Sequence, residues 1–195
     1  MLQYSLYRTK DYGPYAEKGV LHVGFISNND ITGGNSGVGA AAALLFAREG
    51  ANVVISARRQ SALDEVAEKI RAEGGSVLTV TTDISKDGDC KALMQAAADK
   101  FGKIDILVNN AGVLDTGLKA IDKYLDEDAE KVISINEVGT MQCIRAALEK
   151  MSEGASIVNV ASVAGYNGGG GAVYVASKAA IIGITKHTAP TVCPL

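Results

Sequence analysis

From Asn52 onward, short β-branched runs alternate with longer stretches whose apolar residues recur at helical spacing. The runs are "NVVIS" (52–56), "SVLTVTT" (76–82), "IDILVN" (104–109) and "ASIVNVAS" (155–162). They are nearly continuous in apolar residues, as strands buried on both faces require. Between them, residues 59–75, 85–103 and 122–154 carry helical spacing and end near glycine or charge. This alternation predicts an α/β fold: a doubly wound, Rossmann-type parallel sheet flanked by helices, with ligands at the carboxyl ends of the strands. The two ends fit less well. Residues 1–30 read as an irregular, tyrosine-rich segment in which "VLHVGFI" (20–26) is the candidate for a displaced first strand. Residues 179–189 look helical and then meet Pro190 and Pro194, which cannot continue a helix. The expected organisation is an N-terminal segment over 1–30, one nucleotide-binding domain over 31–189 and a short tail over 190–195.

The totals narrow the partners. A chain of 195 residues with 47% hydrophobic content supports one domain with a substantial core. The formal net charge is −3 and the basic residues are dispersed, so neither nucleic acid nor an anionic membrane surface is indicated. Cys90, Cys143 and Cys193 are widely spaced thiols, and His22 and His187 are the only histidines, so neither a disulfide framework nor a metal site is expected. Charged residues break up the N-terminus, which matches neither a secretory signal nor a membrane span. The expected location is cytoplasmic.

Chemistry enters at Thr32-Gly33-Gly34-Asn35-Ser36-Gly37-Val38-Gly39, a T-G-x-x-x-G-x-G turn ahead of the helix former "AAAALLFAREG". Glycines let the backbone turn sharply and approach a pyrophosphate, while the helix N-terminus offers free N–H groups and a positive dipole. This nominates Gly33, Asn35, Ser36, Gly37, Val38 and Gly39 as cofactor-binding residues. The residues just before the turn, Ser27 to Asp30, are polar, unlike a buried strand. The end of the second strand discriminates the two dinucleotides, because an acid there bonds the ribose 2′-hydroxyl whereas an arginine accommodates a 2′-phosphate. Here "NVVIS" leads into Ala57-Arg58-Arg59 with no carboxylate, which favours NADP(H) over NAD(H), with Arg58 as the contact. The arginines also read as the solvated start of a helix, although cations at a helix N-terminus oppose its dipole.

Four more motifs follow in order: "NNAG" (109–112), N-x-x-G from Asn136 to Gly139, Ser162 after "IVNVA", and "YVASK" with Tyr174 and Lys178. In this combination the chain resembles the short-chain dehydrogenase/reductase family over residues 31–188. Tyr174 and Lys178 are four apart and share a helix face, where an ammonium favours the phenolate. A phenol so tuned donates a proton to a carbonyl oxygen or removes one from an alcohol. Ser162 can hydrogen-bond the same oxygen. The resemblance implies Asn136, Ser162, Tyr174 and Lys178 as catalytic residues, with Lys178 also on the nicotinamide ribose and Asn136 anchoring a water. It further implies Asp83 at the adenine ring with Ile84 beside it, and Asn110, Ala111 and Gly112 along the cofactor. "NNAG" also reads as partly structural. Tyr166 and the glycines 168–171 read equally as a substrate-side loop and as a linker.

The resemblance implies a carbonyl or alcohol substrate and a homo-oligomer, dimer or tetramer, packed through the helices near 136–151 and at the Tyr/Lys motif. Family members continue past that helix into further strands and a substrate-covering loop, whereas here only residues 179–195 follow Lys178. The last strands of the family fold are therefore expected to be absent, with an exposed edge on the fifth strand. Two functions remain open: an oxidoreductase with a curtailed C-terminus, and a catalytically silent truncated isoform or fragment that binds nucleotide or associates with other subunits.

Overall fold

Five parallel strands form one sheet in the computed structural model, which describes residues 27–192. They are β1 (Asn28–Thr32), β2 (Asn52–Ala57), β3 (Ser76–Thr81), β4 (Ile104–Asn109) and β5 (Met151–Asn159), in the spatial order β3-β2-β1-β4-β5. The helices are α1 (Gly37–Arg48), α2 (Gln60–Ala72), α3 (Asp87–Phe101), α4 (Asp126–Ile133), α5 (Thr140–Leu148), α6 (Ala164–Asn167) and α7 (Ala172–Val192), with a π-helical turn (Ser134–Gly139) between α4 and α5. The order reverses between β1 and β4, so a crevice opens beyond their carboxyl ends.

Alternating side chains divide the core between the two faces of the sheet. Ile31, Val53, Ile55 and Val108 pack with Ala43, Leu63 and Ile70 from α1 and α2. Val54 and Leu107 pack on the other face with Leu93, Met94, Cys143 and Ile144 from α3 and α5. On the α1–α2 face, Ile106, Val158 and Val160 of the β4–β5 half are only partly buried. β5 is an edge strand among the described residues, as the family resemblance implied.

The central strand departs from expectation. β1 reads Asn-Asn-Asp-Ile-Thr and all five residues are buried. The candidate strand at 20–26 lies outside the described residues, and the boundary expected between residues 30 and 31 falls inside β1. Main-chain pairing explains how so polar a stretch becomes a strand. Its backbone pairs in register with β2 from Asn28↔Asn52 to Thr32↔Ser56 and with β4 from Asn29↔Ile106 to Ile31↔Val108, and the turn that follows fixes which residues must precede it. Asn28 is accommodated, since its Nδ2 donates to the Phe101 carbonyl at 3.1 Å and its Oδ1 accepts from Asn52 at 3.0 Å. The side chains of Asn29 and Asp30 have no hydrogen-bond partner.

Three other boundaries are corrected. The long helical pattern over 122–154 divides into α4, the π-turn and α5, and Met151–Gly154 belong to β5. The fifth strand covers 151–159 rather than 155–162, because β4 ends at Asn109 and leaves Val160 only one further bond, from its N–H to the Asn109 carbonyl at 2.9 Å. α7 runs through Pro190 to Val192; proline lacks the N–H for the preceding turn, a loss tolerated where only two helical residues follow.

Asp30 makes stability depend on pH. Its register partners Val54 and Leu107 place it on the α3–α5 face, and burial pushes its carboxyl from 3.8 up to about 8. The folded chain therefore holds a proton that the unfolded chain has released, and stability contributed below the unfolded value falls as pH rises from 3.8 to about 8. The loss is on the order of 5 kcal/mol. Asp30→Val is expected to stabilise the chain at pH 8 by about 3–5 kcal/mol, with the advantage shrinking toward pH 4. Urea unfolding of both proteins across that range checks it; an advantage independent of pH would contradict it.

Candidate functional site

The site is built outward from the hydroxyl of Thr32. It donates to the Val108 carbonyl at 3.4 Å and accepts from the backbone N–H groups of Asn110 and Ala111, each at 3.1 Å. Asn110 returns the contact, its Nδ2 donating to the carbonyls of Thr32 at 3.1 Å and Gly33 at 3.3 Å. The ends of β1 and β4 are thereby locked together. On the other side, the N–H groups of Gly33 and Gly34 donate to the Ser56 carbonyl at 2.8 and 3.2 Å, tying the turn to β2. Gly33 has φ +68° and a Cβ there would meet the Ala111 backbone, so only glycine serves. Gly39 is packed against the Gly33 carbonyl and the Asn110 amide, which holds the first turn of α1 against the loop.

Beyond this turn lies a groove of about 510 Å³. Of the sequence-nominated residues, Gly33, Asn35, Ser36, Arg58, Asp83, Ile84, Asn110, Ala111 and Gly112 line it. Gly37, Val38 and Gly39 do not: Gly37 and Val38 are exposed at the start of α1, and Gly39 is buried beneath the turn. Arg58 and Arg59 border the groove at the end of β2, with no carboxylate at that strand end. Asp83 stands across from them. Hydrogen bonds from Ser85, at 2.7 Å from its hydroxyl and 3.1 Å from its N–H, hold the Asp83 carboxyl below the usual range. Among the described residues no cluster of three or more His, Cys, Asp or Glu is placed to hold a metal.

Asn136, Ser162, Tyr174 and Lys178 do not line the groove itself; Asn136 and Lys178 meet beside Gly112, which does, and Tyr174 lies next to Lys178. Lys178 is 5% exposed; its Nζ donates to the Val160 carbonyl at 2.8 Å and lies 5.9 Å from the centre of the Tyr174 ring. A Cβ on Gly112 would sit 3.4 Å from that Nζ and 3.3 Å from Asn136 Oδ1, so the Lys178 amine and the Asn136 amide meet at Gly112. Burial lowers the affinity of the Lys178 amine for its proton. The Asn136 side chain is fully engaged: Oδ1 accepts from Val113 N–H at 2.8 Å, and Nδ2 donates to the Val113 carbonyl and to Ser177 Oγ, each at 2.9 Å. Ser162 follows β5; its Oγ accepts from Ala164 N–H at 3.2 Å and retains its own hydrogen for another partner. The turn bearing Ser162 is held to α7, because a Cβ on Gly165 would run into the Lys178–Ala179 backbone.

Several contributors were missed from the sequence. Ser177 is completely buried, and besides accepting from Asn136 it donates to the Tyr174 carbonyl at 2.8 Å. A serine inside "YVASK" is indistinguishable by pattern from any helical serine. Ser56, Arg59, Thr82, Val113 and Ile135 also line the groove. Their signal was position, since each lies next to a strand end or motif already identified.

With the geometry defined, comparison with known proteins is direct. The family model described as short chain dehydrogenase matches residues 30–194. A second, described as Peptidase S46, matches residues 2–44, too little of the chain to define its family. The Drosophila melanogaster protein named 3-hydroxyacyl-CoA dehydrogenase type-2 is 40% identical over 169 residues, covering 80% of this chain and 65% of its own. A short-chain type dehydrogenase/reductase from Mycobacterium marinum superposes with a TM-score of 0.81 at 30% identity, over 87% of this chain and 71% of that one. A variant of actinorhodin polyketide ketoreductase, solved with NADPH, gives 0.77 at 30% identity over 83% and 63%. The chain belongs to the short-chain dehydrogenase/reductase family. It spans 53–65% of the length of the curated relatives it matches. No helix among the described residues is long and apolar enough to cross a membrane.

Thr32→Val keeps the shape and removes the acceptor of two half-buried N–H groups. A loss of about 2–4 kcal/mol in stability, read by urea unfolding, is expected.

Proposed function

We propose that this chain is an oxidoreductase that interconverts a carbonyl and an alcohol with a nicotinamide dinucleotide, NADP(H) in preference to NAD(H). The observation that carries this reading is the buried Lys178 amine beside Gly112 at the rim of the groove, with Tyr174 one turn earlier on the same helix. The residues present fit a dinucleotide: a glycine cradle too tight for a side chain, a polar groove along four strand ends and two arginines at the end of β2. Gly33, Asn35 and Ser36 take the pyrophosphate together with the N-terminal N–H groups of α1, to which Gly37, Val38 and Gly39 contribute from behind the turn. Arg58 takes the 2′-phosphate, and Asp83 and Ile84 border the adenine. Asn110, Ala111 and Gly112 shape the floor on which the nicotinamide half rests. The bound dinucleotide supplies the hydride.

The chain itself manages the proton. Tyr174 serves as general acid toward a carbonyl oxygen and as general base toward an alcohol. Lys178 holds the nicotinamide ribose, while Ser162 donates its free hydrogen to the substrate oxygen. Asn136 belongs to this group as the anchor of a water beside a carbonyl that already accepts from the Thr140 hydroxyl at 2.7 Å, its side chain being held by Val113 and Ser177. A small-molecule substrate and a homo-oligomer complete the proposal, in the cytoplasm.

A second reading has its own support. Ile106, Val158 and Val160 lack full cover on the α1–α2 face, and the central strand buries the unpaired side chains of Asn29 and Asp30. Both features suit a chain that binds nucleotide, or pairs with other subunits, without turnover.

Titration with NADPH and NADH followed by turnover on a panel of ketones separates the two. Binding with turnover supports the oxidoreductase; binding alone supports the second reading. Tyr174→Phe is expected to lower kcat by about 100-fold or more while NADPH affinity stays within about threefold. Arg58→Ala is expected to weaken NADPH about tenfold and to leave NADH nearly unchanged, as measured by calorimetry.

A further inference from the structure

The four glycines 168–171 suggest a loose loop, yet the structure gives two of them specific work. Gly168, at φ +76°, closes α6, its N–H donating to the Ala164 carbonyl at 2.9 Å. Gly171, immediately before α7, has an ordinary backbone conformation and an extraordinary neighbour. A Cβ there would overlap both carboxylate oxygens of Asp115. Glycine is needed at 171 to make room for an acid from a distant loop.

Asp115 is 4% exposed, and neither of its carboxylate oxygens has a hydrogen-bond partner. It lies three residues past Gly112, on a segment anchored at both sides. Asn136 grips Val113 through two bonds, and the Lys119 carbonyl accepts from Ala172 N–H at 2.9 Å. The segment thus runs from the rim of the groove to the first residue of α7, and carries Asp115 onto the positive end of that helix. α7 has no acid of its own in its first turn. A buried anion at a helix N-terminus is attracted by the dipole and the free N–H groups there. Tyr174 is the third residue of the helix.

We propose that Asp115 is a positioning residue for the Tyr174–Lys178 helix, its carboxylate seated against Gly171 at the N-terminus of α7. The proposal rests on the oxidoreductase reading. Asn136 and Ser177 hold α7 from the side through the Tyr174 carbonyl; Asp115 holds it from the end, so that the tyrosine meets the groove at one height. The other ionisable groups on the elements packed against α7 are placed differently. Asp128 of α4 stands 3.8 Å from Lys119, Glu137 is on the π-turn, Tyr166 of α6 is exposed, and the remaining charges of α4 face solvent.

The test is a double-mutant cycle of Asp115→Ala and Gly171→Ala in the full chain. Each single variant is expected to lower kcat about tenfold or more while NADPH affinity stays within about threefold, since the groove is built on other elements. Each is also expected to lower the hydrogen-exchange protection of the Ala172 and Val175 amides by a similar factor. Adding Gly171→Ala to Asp115→Ala should cost less than about threefold further, because the new methyl enters the space the carboxylate has left. If Gly171→Ala alone fails to fold, the double variant should recover it to the level of Asp115→Ala. Unchanged kcat and protection in Asp115→Ala, a full cost of Gly171→Ala in both backgrounds, or no recovery would overturn the proposal. Absence of turnover in the unsubstituted chain would defeat the oxidoreductase reading alone, and the protection data would still decide the role of Asp115.

Discussion

The Thr32 hydroxyl, bonded to β4 at Val108, Asn110 and Ala111, is the interaction from which the site is assembled. It sets where β4 ends and therefore where Gly112 and Val113 lie. Val113 is gripped by Asn136, Asn136 reaches Ser177, and Ser177 bonds the Tyr174 carbonyl. One continuous series of hydrogen bonds thus runs from the central strand to the helix bearing Tyr174 and Lys178. Every link after the first is buried or half-buried, so breaking one leaves a polar group without water to replace its partner.

The same strand that begins this series is the least favourable element of the core. Asn29 and Asp30 face opposite sides of the sheet with no partners, where the rest of β1 through β4 presents mostly aliphatic side chains. Backbone pairing with two neighbours and the locked turn hold the strand in place against that cost. The fold is therefore regular at its ligand-facing end and strained at its centre, and the strain lies within a few residues of the turn that defines the site.

Much of this was legible in the residues. Runs rich in β-branched residues marked β2, β3 and β4 closely; β2 and β4 are largely buried, as continuous apolar character in a parallel sheet implies, whereas β3 at the sheet edge is half-exposed. Gly33 and Lys178 were nominated because a turn after a strand and a helix face call for such residues, whereas Asp83 and Gly112 came only from the family resemblance. β1 was not legible, since its side chains contradict its environment and only main-chain pairing places it. The break in the helix at Asn136 was hidden because a π-turn keeps the apolar spacing on either side of it. The relation of Asp115 to Gly171 was invisible because the two are far apart in the chain and neither belongs to a motif.

The most direct measurement is a map of backbone amide chemical shifts as NADPH is added to the isotopically labelled chain. Large changes are expected at Gly33 to Ser36, at Arg58, and at Gly112 and Lys178, which would place the dinucleotide along the groove with its reactive end at the Tyr174–Lys178 helix. No change at saturating NADPH, or changes confined to residues away from the groove, would contradict the assignment of this site.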